Sequence, residues 1–356
     1  MSPRLRRFPS PDSLGLLGAL IVGACGGSGP RAPQTATDPT LPSGPAASAP
    51  AGAGAEEPAA SAELAAGIKA FDAGAYADAR RSFEAATRKD PKNYEAFHDL
   101  GLACEKLGDR AAAEGAYRAA LAQKPDLDAA AVALSALLLD DARTDDAVAV
   151  ARAGVDKRPA SAPLHENLAL GLAARGDQAG AAREFEEALK LKPSDPMYHL
   201  TYAHWLNAWK TRGAASQLDA ARDLAKDDYG LLASIGLEYR MAGAFDACVK
   251  TFDHAIQIKD GGEVRTERAL CRLGLKDEKG ALEDLQAAVK KEPDYPAAHY
   301  YLGGRLAATR RFKEAAAEYA RYLELAPSGS LAKAASDRRK AAEDEAKGTG
   351  AGPRKK

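Results

Sequence analysis

Small and large apolar residues recur at a fixed interval from residue 60 onward. One lattice of small residues holds Gly67, Gly101, Ser135, Ala169, Ala203, Gly236, Ala269 and Gly303. A second holds Ala79, Ala113, Ala147, Ala181, Ala215, Cys248, Ala281 and Ala315. Bulky residues fall on a third, at Phe83, Tyr117, Phe185, Phe252, Leu285 and Tyr319, and alanines follow three positions later at Ala86, Ala120, Ala188, Ala255 and Ala288. Prolines mark the same period, with Pro91, Pro125, Pro159 and Pro193 each 34 apart, as are Pro293 and Pro327. Such a period marks a repeat architecture in which each unit is one supersecondary motif. Here the unit predicts a helix hairpin. In the second unit, helix A is expected over 94–107 and helix B over 110–124. Gly108 and Asp109 make the turn, and Asp109 is placed to cap helix B. Pro125 ends helix B, because it lacks an N–H and disfavours helix in the residue before it. Small residues such as Gly101 against Ala113 let the A and B axes approach closely. Tyr117 and Ala120 are then expected to face the next hairpin.

These four lattices resemble the tetratricopeptide repeat family, whose 34-residue period they match, over 60–329. The resemblance implies an all-α chain: an α-solenoid of about eight hairpins followed by a capping helix. The repeats are expected at 60–93, 94–127, 128–161, 162–195, 196–228, 229–261, 262–295 and 296–329. Each hairpin buries its apolar face only against its neighbours, so the last needs a cover. Residues 330–347 can supply it, with Leu331, Ala334 and Ala335 inward and Asp337, Arg338, Arg339 and Lys340 toward water. The tail 348–356 is expected to be disordered.

The first 24 residues read as an address. Arg4, Arg6 and Arg7 precede an uncharged apolar run from Leu14 to Ala24, of a length suited to a secretory signal and short of the roughly 20 residues that cross a bilayer. Ile21, Val22, Gly23 and Ala24 lead into Cys25, and Gly26-Gly27-Ser28-Gly29 follows. This resembles the lipobox of bacterial lipoproteins, with Val22 where leucine is commoner. The resemblance implies cleavage before Cys25, acylation of that residue and, with glycine at 26, sorting to the outer membrane on its periplasmic side. An ordinary cleaved signal or an uncleaved anchor are the alternatives. Several acyl chains on one residue hold a protein at a membrane far more firmly than one. Residues 25–59 are rich in Gly, Pro, Ala and Ser and read as a disordered tether spanning roughly 30 Å.

Composition narrows the partners. With 49 Lys+Arg against 50 Asp+Glu the chain carries no basic excess, which argues against nucleic acid. Aromatics make up only 6%, so the core must rest on small residues and close backbones. Four cysteines in 356 residues do not make a disulfide framework. Cys104, Cys248 and Cys271 sit on apolar stretches and read as buried thiols; a Cys248–Cys271 bridge between adjacent repeats is possible, but their register does not favour it.

Chemistry is sparse. His165-Glu166 begins H-E-x-x-H, but residue 169 is alanine. Ser330-Leu-Ala-Lys333 spells S-x-x-K without companion motifs. His165, His199 and His299 share the fourth position of a repeat and read as core packing. No metal site, cofactor, catalytic residue or small-molecule substrate is expected. What remains is the inner face of the A helices. By the resemblance, Ile68, Phe71, His98, Leu102, Glu105, Leu139, Glu166, Leu170, His204, Asn207, Leu237, Arg240 and Tyr300 line a largely apolar groove for a protein partner. Such a surface suits an apolar strand or an amphipathic helix. Trp205 and Trp209, one helical turn apart in the irregular unit 196–228, are either gap-fillers or an anchor for a partner. The expected role is a scaffold or assembly factor in the bacterial envelope, by analogy with repeat lipoproteins of secretin and pilus-type machines. A periplasmic adaptor for polysaccharide export or cell-wall synthesis, and a regulatory subunit of an envelope enzyme, are the rivals.

Overall fold

The computed structural model describes residues 59–350, which form seventeen helices and no strand. The leader, Cys25, the tether and 351–356 lie outside the described residues.

Two compact units divide the chain, with the boundary between Leu191 and Lys192. The first holds four hairpins: α1 (Ala59–Asp72) with α2 (Tyr76–Lys89), α3 (Tyr94–Lys106) with α4 (Arg110–Gln123), α5 (Asp128–Asp140) with α6 (Thr144–Lys157), and α7 (Ala162–Ala174) with α8 (Gln178–Leu191). The second holds four more: α9 (Pro196–Ala208) with α10 (Ala214–Ala225), α11 (Tyr229–Met241) with α12 (Phe245–Ile258), α13 (Gly262–Gly274) with α14 (Glu278–Lys291), and α15 (Pro296–Ala308) with α16 (Phe312–Leu325). A closing helix, α17 (Ala332–Gly350), packs on α16 and runs past the expected end at 347.

Local chemistry sets these limits. The Asp109 carboxylate accepts from the Ala112 amide at 3.1 Å and caps α4. Asn93, Asp177, Asp228 and Asp277 cap α3, α8, α11 and α14 in the same way. Each cap satisfies an amide that the helix leaves without a partner. Lys124, before Pro125, leaves the helical region and stops α4.

Glycine on the A helix opens a notch for a ring on helix B. A Cβ at Gly236 would lie 2.6 Å from the Phe252 ring, and one at Gly67 would lie 2.5 Å from Phe83. At Gly101 the added carbon would overlap the Tyr117 ring. Tyr117 therefore fills its own hairpin's notch as well as reaching the next hairpin, where it clusters with Leu134 and Leu138. That amends the expectation that it faces only forward.

The closing helix buries Ala335 and Ala342 and leaves Leu331 and Ala334 partly covered. Arg338 is exposed as expected, and its guanidinium also lies 5.0 Å over the Tyr300 ring. The guanidinium covers an aromatic face that would otherwise be open at the end of the stack.

Candidate docking face

The expected groove residues separate into those left accessible and those engaged within the fold. In the unit 59–191, the A helices α1, α3 and α5 present Leu64, Ile68, Phe71, His98, Leu102, Val132, Ala136 and Leu139, none of them fully buried. Ile68 is 43% exposed, a large apolar side chain with one flank in water. Glu105 is engaged by the Tyr117 hydroxyl, and His98 lies 3.0 Å from its neighbour Asp99.

Glu166 and Leu170 are corrections. Both are buried, and α7 is covered along nearly its whole length. Leucines at 164, 168, 170 and 172 are buried, and so is the polar run His165-Glu166-Asn167, in which His165 meets Glu184 and Asn167 donates to Ser135. Leu170→Asp is therefore expected to unfold its hairpin rather than spare it, since a buried unpaired carboxylate is expensive.

In the unit 192–350 the polar groove residues knit one A helix to the next. His204 Nδ1 meets the Glu238 carboxylate at 2.8 Å, and Asn207 donates to both the carbonyl and the carboxylate of Glu238. Arg240 reaches Glu267 at 3.1 Å. Burial pushes the Glu267 carboxyl up, and Arg240 pulls it back. Leu237 packs on the core and Tyr300 is buried beneath Arg338. His204 and Tyr300 are thus buried against their neighbours, while Asn207 and Arg240 are engaged by theirs and stay half-exposed. Trp205 and Trp209 are half-buried, with ring centroids 5.8 Å apart.

Two groups escaped the sequence reading. The first is a histidine clamp. His165 Nδ1 meets Glu184 at 2.6 Å while Nε2 meets the Pro159 carbonyl at 3.0 Å. His299 repeats this with Glu318 and Pro293, and His199 with Gln217 and Pro193. These rings were expected as plain core. Instead each ties its hairpin to the preceding loop. The visible signal was a histidine six residues after a period-marking proline.

At His299 burial disfavours the charged ring, but the Glu318 hydrogen bond and the Pro293 carbonyl outweigh it and the pKa rises. Arg321 also acts on the ring and opposes the rise. A raised folded-state pKa gives stability that is full below the unfolded value, about 6.5, and is lost as pH climbs through the folded value. The urea midpoint is accordingly expected to fall as pH rises above about 6.5, and Glu318→Gln to flatten that slope. An unchanged slope in the variant would remove His299 from the account.

The second group surrounds Asp284 on α14, which is 2% exposed. Arg268 and Arg272 each reach its carboxylate at 2.9 Å, and Arg265 stands at 3.5 Å. The outer sides of this cluster meet Asp253 and Asp260.

Cys248 and Cys271 form a disulfide, with Cα atoms 6.0 Å apart, which corrects their reading as separate thiols. Cys104 remains a buried thiol whose pKa burial pushes up. Among the described residues no cluster of His, Cys, Asp and Glu could hold a metal ion, and no helix is long and apolar enough to cross a membrane.

Paired helices with interlocking small and large positions, capped by a further helix, define a helical repeat protein. Residues 64–128, 132–196 and 277–330 match the tetratricopeptide repeat family model, and the chain belongs to that family. Among solved structures, yeast Tom70 is similar at 15% identity and a TM-score of 0.48, over 82% of this chain and 66% of that one. A tetratricopeptide repeat protein from Parabacteroides merdae is similar at 15% identity and a TM-score of 0.45, over 79% and 98%. The Cut9–Hcn1 hetero-tetramer of the APC/C gives 14% identity and a TM-score of 0.45 over 75% of this chain, which spans about half, 52%, of that one. No curated protein matches the chain significantly.

Proposed function

We propose that the chain is a non-catalytic scaffold that takes an apolar segment of a protein partner along α1, α3 and α5. The supporting observation is the stripe of incompletely buried Leu64, Ile68, Leu102 and Leu139; in the other unit, taken by itself, the corresponding polar positions are already engaged. Ile68 is exposed, and Leu64, Leu102 and Leu139 are half-buried with their inner sides on the core, so each leaves an apolar flank that suits the apolar face of an amphipathic helix. Ile68→Asp is expected to leave helicity and melting nearly unchanged and to weaken partner capture, and Leu102→Asp added to it to abolish capture with only a modest loss of melting temperature. Loss of helicity equal to that of Leu170→Asp would place these side chains in the core instead.

The scaffold is a lipoprotein acylated at Cys25, held at the outer membrane on its periplasmic side, where it serves assembly of an envelope machine. The lipobox-like run before Cys25 supports this reading, and the Cys248–Cys271 disulfide suits an oxidising compartment. Labelled acyl chain is expected to enter the protein in growing cells and to be lost in Cys25→Ala. Equal labelling of the two would sink the anchor.

A further inference from the structure

In the unit 192–350 the A helices α9, α11, α13 and α15 lie side by side, each turning back into its own B helix. Their A–B turns therefore fall along one edge. Those turns carry Trp209-Lys210-Thr211-Arg212, Met241-Ala242-Gly243, Leu275-Lys276 and Thr309-Arg310-Arg311. Met241 is 47% exposed and Leu275 40%. Trp209 leans on Trp205 and is half-buried.

The turn geometry needs one residue in the left-handed region, where glycine is the unstrained choice. In the unit 59–191 that residue is Gly74, Gly108, Ala142 or Gly176. In 192–350 the turns place Gly243 and three cations there, Lys210 at φ 56°, Lys276 at 63° and Arg310 at 62°, and the first turn holds Gly213 at 108° as well. Three of the four tips thus present a cation at this position.

The charges on this edge are also unbalanced. Among the described residues, Lys210, Arg212 and Lys276 have no ion-pair partner, and Arg310 only stacks near Phe312. Most acids nearby are engaged: Asp277 caps α14, Glu278 is held by Arg305 and Glu314 by Arg311, which leaves Asp246 as the exposed acid beside the Gly243 tip. A cleft of about 230 Å³ at the end of the row is lined by Arg310, Arg311, Phe312, Lys313, Glu314 and Ala346.

We propose that this turn edge rests on an anionic phospholipid bilayer, with Trp209, Met241 and Leu275 at the interface and the unpaired cations among the headgroups. Tryptophan and exposed apolar tips suit the membrane–water interface, and each cation near an anionic surface adds attraction. Met241 and Leu275 stand exposed at successive tips with the cations along the same edge, an arrangement that fits a flat anionic surface better than an acidic polypeptide. This inference is independent of acylation at Cys25.

The test uses the chain from Gly26 on, unacylated, which keeps every described residue. Vesicles of equal parts phosphatidylglycerol and phosphatidylcholine are expected to sediment it, in a salt-sensitive manner, and pure phosphatidylcholine vesicles to leave it in solution. Lys210→Glu, Arg212→Glu and Lys276→Glu together are expected to cut partitioning by roughly 100-fold with the melting curve unchanged. Trp205 and Trp209 are the only tryptophans in the chain, so a blue shift of its emission on the anionic vesicles reports this edge without any mutation. Absence of partitioning, undiminished binding by the triple variant, or binding to soluble polyglutamate but not to vesicles would each overturn the proposal. The last result would point to an acidic protein partner instead.

Discussion

Gly101→Leu is expected to destabilise the unit 59–191 by about 3 kcal/mol or more, the upper end of overpacking costs. Even a single added carbon at this position would overlap the Tyr117 ring. That ring has no free direction: it is 0% exposed, and its hydroxyl is bonded to Glu105. Leucine must therefore push α3 and α4 apart, and the separation exposes the contacts that Tyr117 makes with Leu134 and Leu138. Gly115 on the same hairpin provides the control, since nothing lies within 4 Å of a Cβ there. Gly115→Ala is expected to stabilise by up to about 1 kcal/mol, through helix propensity alone. Urea unfolding followed by far-UV circular dichroism measures both. Equal midpoints for the two variants would mean that the close approach of α3 and α4 is not what holds the hairpin.

Asp284→Ala is expected to cost about 3–5 kcal/mol, the range for removing one partner from a buried ion cluster. Three guanidinium groups converge on this carboxylate, and the side chains of Arg268 and Arg272 are only 13% and 22% exposed. Without the carboxylate they are left close together and poorly hydrated. Asp253 contacts Arg268 from outside, with its side chain 44% exposed, so Asp253→Ala is expected to cost about 0–1 kcal/mol. Asp284→Asn keeps an acceptor but not the charge, and falls between. Thermal melting of the three variants orders them. If Asp284→Ala melted like Asp253→Ala, the arginines would be neutralised by solvent rather than by this residue.

The repeat and its helices were legible because their cause is local and periodic. A notch residue, a ring sixteen positions later, a capping aspartate and a breaking proline recur in phase, as in Gly101, Tyr117, Asp109 and Pro125. The ring's true partner was less legible, because one lattice does not say which helix it fills; Tyr117 fills two. The Asp284 cluster was invisible for a different reason. Its arginines occur in a single repeat, so no period exposes them, and only folding brings α14 against α13. Cys248 and Cys271 are similar: one stands on a small-residue lattice and the other beside one, and their pairing depends on how α12 meets α13. The groove was read by position alone. That identified side chains near the inner face but not whether a neighbouring A helix had already engaged them, as Glu238 does His204 and Asn207.

A partner docking on α1, α3 and α5 would lie within reach of Ile68 and Leu102. In-cell photocrosslinking from single positions tests it most directly. Probes at Ile68 and Leu102 are expected to give a discrete protein adduct, and a probe at exposed Arg118 on α4 to give none. Adducts of the same size from Arg118, or none from Ile68 and Leu102, would contradict it.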